Sequence, residues 1–423
     1  MAKPGDTIKV VTKDAEYTGI LIQRPEMVPG NSIILKLDNG YNIGIEKNKI
    51  QKLTVIKAGK ETKHEAGKPA KNKSLPNVAI LSTGGTISSK VDYKTGGVSP
   101  NLTANDFIRA EPKLAEYANY DFKQVAQVLS EDMDSKIWTA LAKEIYAEIK
   151  KGKQGIIVTH GTDTMHYTSA AISFMVQNLP VPVVFVGAQR SVDRGSSDAF
   201  PNLLTAAIAA TKWEGAEAVI CMHESTNDNA NILIRGTKAR KMHTERRDAF
   251  RPINDLPLAR VDYKGNILNV SEHKKREERE PILNTRLDTK VGLIWSYPEM
   301  EPEIIDYYIK NKYHGIVIAG TGLGHVQHSL IKKLKECSKA GIPVVMTSQC
   351  IYGRTNMRVY ETGRRLIFEA NVIDGADMTP ETAFVKLMHV LGQTKDIAKV
   401  KTMMEKNLVG EISDCTGANT FLI

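Results

Sequence analysis

Cysteine is scarce. Only four stand in 423 residues, Cys221, Cys337, Cys350 and Cys415, with no CxxC pair and no regular spacing. That excludes a disulfide-stapled scaffold or a zinc ribbon, and it fits a reducing compartment with free thiols. Long apolar runs are missing too: none approaches the roughly 18 residues that an ordinary transmembrane helix requires. Residues Met1 to Val11 lack the basic segment and apolar core of a secretory signal. The expectation is a soluble, cytoplasmic protein. Neither sign of charge dominates, with 57 Lys+Arg against 48 Asp+Glu and a net charge of +9. Such an excess permits an acidic partner such as RNA without demanding one. What the chain does have is length and 42% hydrophobic residues, enough for two or three domains with sizeable cores.

Residues 1–56 alternate over short runs, Thr7–Val11, Tyr17–Ile22 and Ser32–Leu37, separated by Pro25, Pro29-Gly30-Asn31 and Asp38-Asn39-Gly40. Asp-Asn-Gly followed by Tyr41–Ile45 predicts a hairpin, and the whole predicts a small β-barrel of SH3-like type. Residues 57–76 have almost no large apolar side chain and read as a flexible, lysine-rich linker. Through Leu75 the chain carries 14 Lys+Arg and 8 Asp+Glu, so most of the net charge lies in this leading part.

Beyond Pro76 the pattern changes to buried strands alternating with helices. Continuous apolar runs recur at Val78–Leu81, Gly155–Val158, Val181–Val186, Ala218–Cys221, Val291–Trp295, Gly315–Ala319 and Ile342–Met346, with helical stretches such as Asp134–Lys150 and Thr168–Leu179. This predicts parallel sheets covered on both faces. The charged segment 271–290 divides the region into a larger domain, 77–270, and a smaller one, 291–423.

Two polar loops follow predicted strands. The first, Ser82-Thr-Gly-Gly-Thr-Ile-Ser88, has neither GxGxxG nor GxxxxGK[ST], which weakens a phosphate-binding reading. The competing reading makes a threonine hydroxyl a nucleophile beside backbone amides. The second is Thr159-His-Gly-Thr-Asp-Thr-Met165. In isolation its Thr-Asp-Thr would be an ordinary helix N-cap. Two such loops at one sheet edge instead favour a site.

At these motifs the chain resembles the L-asparaginase family, with TGGT at 83–86 and HGTDT at 160–164 as the two signatures. SEDMD at 130–134, GAQR at 187–190 and Lys241–Phe250 extend the resemblance to about residue 410. The resemblance implies a two-domain asparaginase-like α/β fold behind the N-terminal barrel. It implies that Thr86 is the nucleophile, Thr162 the second catalytic threonine, Asp163 its acidic neighbour and Lys241 the lysine, with Lys238 as fallback. Tyr93 matches the tyrosine of a closing loop, Ser130 and Glu131 match substrate-binding positions, and Gly85 and Gly161 belong to the loops around the substrate. No metal is implied.

The leading barrel and the basic run Leu233–Asp248 set the chain apart from free asparaginases. They are similar to the asparaginase-like component in the family of archaeal-type glutamyl-tRNA(Gln) amidotransferases. That resemblance implies glutamine as substrate and ammonia passed to a partner, the E-type component of the same amidotransferase. There ATP and Mg2+ would amidate Glu-tRNA(Gln), within a heterotetramer built on a homodimer of this chain. The alternative is a free cytoplasmic L-asparaginase with a regulatory barrel; from another class, a noncatalytic RNA-binding scaffold. Gly320-Thr-Gly-Leu-Gly-His325 is mis-spaced for a dinucleotide loop, His325 and His328 read as structural, and Cys350 reads as a buried thiol.

Overall fold

The computed structural model describes residues 2–22, 31–38, 41–58, 72–85, 90–91, 98–99, 108, 111–190 and 196–421. The alternating leader forms an antiparallel five-stranded sheet in the spatial order Asn42–Glu46, Ser32–Leu37, Glu16–Ile22, Thr7–Thr12, Ile50–Lys57. Its curved face buries Ile8, Val10, Leu35 and Ile45. The 3-10 turn Lys47–Lys49 joins the two edge strands, so the barrel is open. Most of the lysine-rich linker lies outside the described residues. Its end is fixed: the Asn119 amide donates to the carbonyls of Asn72 and Leu75 at 2.8 and 3.0 Å.

The larger α/β domain is built on eight strands. From one edge they run Ile267–Asn269, Ala259–Asp262, Ala230–Arg235, Ala218–His223, Val183–Val186, Gly155–Thr159, Asn77–Gly84 and Asn119–Val128. The last five are mutually parallel. The first three pair antiparallel, a correction to the all-parallel expectation. Only residues 224–229 separate Ala218–His223 from Ala230–Arg235, and a parallel return needs a crossover of a dozen residues or more. The strand Asn77–Gly84 has partners on both sides, Asn119–Val128 and Gly155–Thr159. The sheet therefore grows in two directions from it, and the crevice at that switch point is where α/β sheets place ligands.

Alternate residues of the central strands face opposite layers. Val78, Ile80, Ile157 and Val184 pack under helix Ala199–Lys212. Ala79, Leu81, Ile156 and Val158 pack under helices Ser135–Lys150 and Met165–Met175. That second core continues without a break into the smaller domain, through Val317, Val345, Ala383 and Leu387. There four parallel strands, Val291–Trp295, Gly315–Gly320, Val344–Ser348 and Ile373–Asp374, carry helix Pro380–Gln393 against Met165–Met175.

The segment 271–290 is charged but docked. The Arg276 guanidinium donates to the carbonyls of Trp213, Gln154 and Ala210 at 2.6, 2.6 and 2.8 Å. Ile282–Leu283 pairs with Val176–Gln177. Cysteine usage differs from expectation at one position: Cys221 and Cys337 are buried and free, whereas Cys350 is exposed with Cys415. Cys350 lies in the loop after Val344–Ser348, its backbone N–H donating to the Ser348 hydroxyl at 3.0 Å. Among the described residues no helix is long and apolar enough to cross a membrane.

Candidate active site

The loops leaving Asn77–Gly84 and Gly155–Thr159 touch through their glycines. Gly84 and Gly85 take φ of +109° and +84°, a region side chains rarely enter. A Cβ at Gly85 would stand 2.4 Å from the backbone nitrogen of Gly161, and one at Gly161 would stand 2.7 Å from the Cβ of Ser130. The Thr83 hydroxyl donates to the Thr159 carbonyl at 3.1 Å and ties the strand ends together. The contacts leave no room for a methyl group. Gly85→Ala is therefore expected to cost about 2 kcal/mol or more in stability, read by denaturant melts.

The Thr-Asp-Thr cluster is not an ordinary cap. Thr164 holds the N-cap position of helix Met165–Met175 but makes no side-chain capping bond. Its hydroxyl donates instead to the Ser130 carbonyl at 2.6 Å. Asp163 turns the other way. Its Oδ1 accepts from Lys241 Nζ at 2.6 Å and its Oδ2 accepts from the Ser130 hydroxyl at 3.3 Å. Lys241 Nζ also donates to Thr162 Oγ1 at 2.9 Å. The lysine side chain is 9% exposed and that of Asp163 is 65% exposed, so the pair runs from a buried position to solvent. The Lys241 ammonium holds the Asp163 carboxyl below its usual range.

Three of the four expected catalytic residues, Thr162, Asp163 and Lys241, thus meet in one hydrogen-bonded group with Ser130. Gly85 and Gly161 pack beside it. Glu131 stays exposed on the 3-10 turn Ser130–Asp132. Thr86 and Tyr93 lie outside the described residues; the last described residue before Thr86 is Gly85. Of the two candidate lysines, Lys238 is buried in an ion pair with Asp377 at 2.6 Å.

Sequence reasoning missed a polar assembly behind the GAQR loop. Asp198 accepts from the backbone N–H groups of Gln189 and Arg190 at 2.9 and 2.8 Å. Asn202 donates to the Gly187 carbonyl at 3.0 Å and to Asp198. His223 and Asn231 contact Asn202 Oδ1 at 2.6 and 2.8 Å. The available signal was Asp198, just before the helix Ala199–Lys212, with Asn202 four positions on in its mostly apolar first half.

Burial lowers the His160 pKa from 6.5 to about 4, and burial followed by the charge of Arg240 lowers His166 to about 3. Both are neutral in the fold and titrate near 6.5 once unfolded. Their contribution is complete above pH 6.5 and is lost as the pH falls from there toward 4, because the unfolded chain binds the protons first. Thermal melts should hold level near pH 7 to 8 and drop steeply between pH 6.5 and 4. His160→Asn should flatten that drop.

The fold and this group of residues define an asparaginase-type α/β protein. The family models agree: "Asparaginase, N-terminal" matches residues 77–276, "Glutaminase/Asparaginase C-terminal domain" matches 290–404 and "GatD N-terminal domain" matches 2–56. Among solved structures, the thermostable L-asparaginase from Thermococcus kodakarensis aligns with a TM-score of 0.73 at 32% identity, over 80% of this chain and 99% of its own. The cover is nearly complete in curated relatives named as the D-type component of glutamyl-tRNA(Gln) amidotransferase. The Methanobrevibacter smithii protein is 48% identical over 99% of this chain and 96% of its own length. The Methanosphaera stadtmanae protein is 49% identical over 99% and 95%. The chain belongs to this family, the GatD components of glutamyl-tRNA(Gln) amidotransferase.

Proposed function

We propose that the chain is the glutamine amidohydrolase component of a tRNA-dependent amidotransferase, with Thr86 as nucleophile. The observation that carries this reading is Lys241 Nζ within hydrogen-bond distance of both Thr162 and Asp163. A threonine hydroxyl is a poor nucleophile at neutral pH and needs a base. A lysine serves as one only when neutral. In the resting site Lys241 Nζ lies between Thr162 and Asp163. Asp163 orients Lys241 as the base that acts through Thr162, and its exposed carboxylate also holds the glutamine α-ammonium. Thr86 then attacks the carboxamide carbon, its proton passing through Thr162 to Lys241 and on to the leaving nitrogen, so that ammonia departs and water cleaves the acyl-enzyme to glutamate. Backbone N–H groups of the glycine loop stabilise the oxyanion, while Ser130 and Glu131 bind the substrate's amino-acid end and Tyr93 closes over it.

The released ammonia passes to the E-type component, where ATP and Mg2+ drive conversion of Glu-tRNA(Gln) to Gln-tRNA(Gln). The working particle is a heterotetramer around a homodimer of this chain, in the cytoplasm, and tRNA contact falls mainly to the partner. This chain itself requires no cofactor. The likeness to L-asparaginases over 80% of the chain favours free asparagine hydrolysis as a second reading. Ammonia release measured with glutamine and with asparagine, with and without the E-type component and Glu-tRNA(Gln), separates the two. Strong stimulation of glutamine turnover by both additions is the expected result. Brisk asparagine turnover by the isolated chain, unaffected by them, would overturn it in favour of the second reading.

A further inference from the structure

The strand that carries Lys241 is only three residues long, Ala239–Lys241, and pairs with a strand equally short, Phe250–Pro252. Two such strands do not stand as an independent hairpin. What fixes them is the smaller domain packed against them. Lys238, immediately before the strand, and Asp377 of the smaller domain are both essentially without solvent exposure, and their ion pair is 2.6 Å long. Asp377 is itself held: its other oxygen accepts from the Ser413 backbone N–H at 3.0 Å, and its carbonyl accepts from Asn254 at 3.0 Å. Arg240 pairs with Glu381 at 3.1 Å, and the Thr382 hydroxyl donates to the Thr237 carbonyl at 2.9 Å. Glu381 and Thr382 sit in the first turn of helix Pro380–Gln393.

Successive side chains of extended backbone point to opposite faces. Arg240 therefore reaches the smaller domain while Ala239 and Lys241 face the larger one, and Lys238, in the turn just before the strand, meets the smaller domain at Asp377. Ala239 joins the core with Val158 and Met165, and Lys241 meets Thr162. The same helix, Pro380–Gln393, also backs the other half of the group. Its Phe384 and His389 rings contact Tyr167 and Phe174 of helix Met165–Met175, with centroids 6.5 and 5.9 Å apart. That helix begins directly after Thr162-Asp163-Thr164. One element thus backs both partners of a 2.9 Å bond whose residues lie 79 positions apart.

We infer that Lys238–Asp377 and Arg240–Glu381 are positioning pairs, through which the smaller domain of the same chain sets Lys241 in register against Thr162. A buried ion pair seldom adds stability over an apolar pair of the same volume, whereas its directional bonds fix register. Lys238 itself touches neither the threonine nor the proposed substrate position. The inference deepens the functional reading above and rests on it for its kinetic test.

The test uses the full chain with the E-type component and the variant Lys238→Met/Asp377→Asn, which removes both buried charges and keeps an acceptor for Ser413. Expected are a kcat lower by about ten- to hundredfold per folded molecule, since displacements near 1 Å cost that much, an unchanged KM, and a displaced acid limb of the kcat–pH profile. A folded variant with unchanged kcat and pH profile overturns the inference. Should that variant not fold, the more open pair decides: Arg240→Gln/Glu381→Gln should lower kcat in the same sense, and unchanged kcat there overturns it equally. If the wild-type complex releases no ammonia from glutamine, the functional reading fails by itself. The positioning inference is then judged on a crystal structure of the variant: loss of the Lys241–Thr162 contact supports it and its retention overturns it.

Discussion

Replacing Lys241 with alanine should lower kcat for glutamine hydrolysis by about 10²- to 10⁴-fold, the range in which a positioned general base contributes. The expectation follows from the geometry. Lys241 Nζ donates to Thr162 and Asp163 together, so its removal leaves Thr162 without this partner, the proposed base, and Asp163 without its cation. The folded state should be little affected, because the Asp163 carboxylate is largely exposed and water takes over its solvation. Lys241→Arg should not rescue, since a guanidinium stays protonated at any working pH. Steady-state ammonia release, with circular dichroism to show that the fold persists, measures this. A kcat near the wild-type value would remove the lysine from the reaction.

The second large effect is expected at Thr86. Valine keeps the β-branched shape and deletes only the hydroxyl, so Thr86→Val should eliminate turnover while melting and partner binding remain those of the parent. The parallel variant Thr162→Val should also lose most activity. The two differ at the covalent step: quenched reactions of wild type with glutamine should carry a glutamyl adduct on the peptide containing Thr86, visible by mass spectrometry. An adduct retained in Thr86→Val, or located on Thr162, would reassign the nucleophile.

Much of this architecture was readable from residue pattern, and the exceptions have physical causes. The four leading alternating runs correspond to the strands of the open barrel. Its fifth strand, Ile50–Lys57, has almost no buried face and therefore no clean alternation to read. The seven apolar runs of the α/β region all form strands, because each is buried between layers. Asn119–Val128 was missed because it lies at the sheet edge, where Asp121, Lys123 and Gln124 meet solvent or ion-pair partners. The antiparallel extension was missed because apolar runs report burial and not direction. Segment 271–290 reads by its charge as a link between domains, and charge alone does not reveal its docking: the Arg276 guanidinium satisfies the carbonyls of Trp213 and Ala210.

At the candidate site, motif spacing brought the TGG and HGTDT loops to one sheet edge. It left two lysines open, three positions apart. Their separation is a matter of long-range partners: Lys238 finds a carboxylate 139 residues further along, and Lys241 finds one 78 residues back. No local pattern carries that information. Asp377 likewise stands in an ordinary turn before helix Pro380–Gln393, and its significance depends on which side chain arrives from the other domain.

The distance along the polypeptide between these partners has a consequence for synthesis. A ribosome emits the glycine loop well before the stretch around Asp377, and domains tend to fold as they emerge. The lysine-bearing strand has no seat until residues 377 to 382 are free of the exit tunnel. A chain not yet extended through that stretch, however well its first sheet has formed, should therefore hold Lys241 out of register against Thr162.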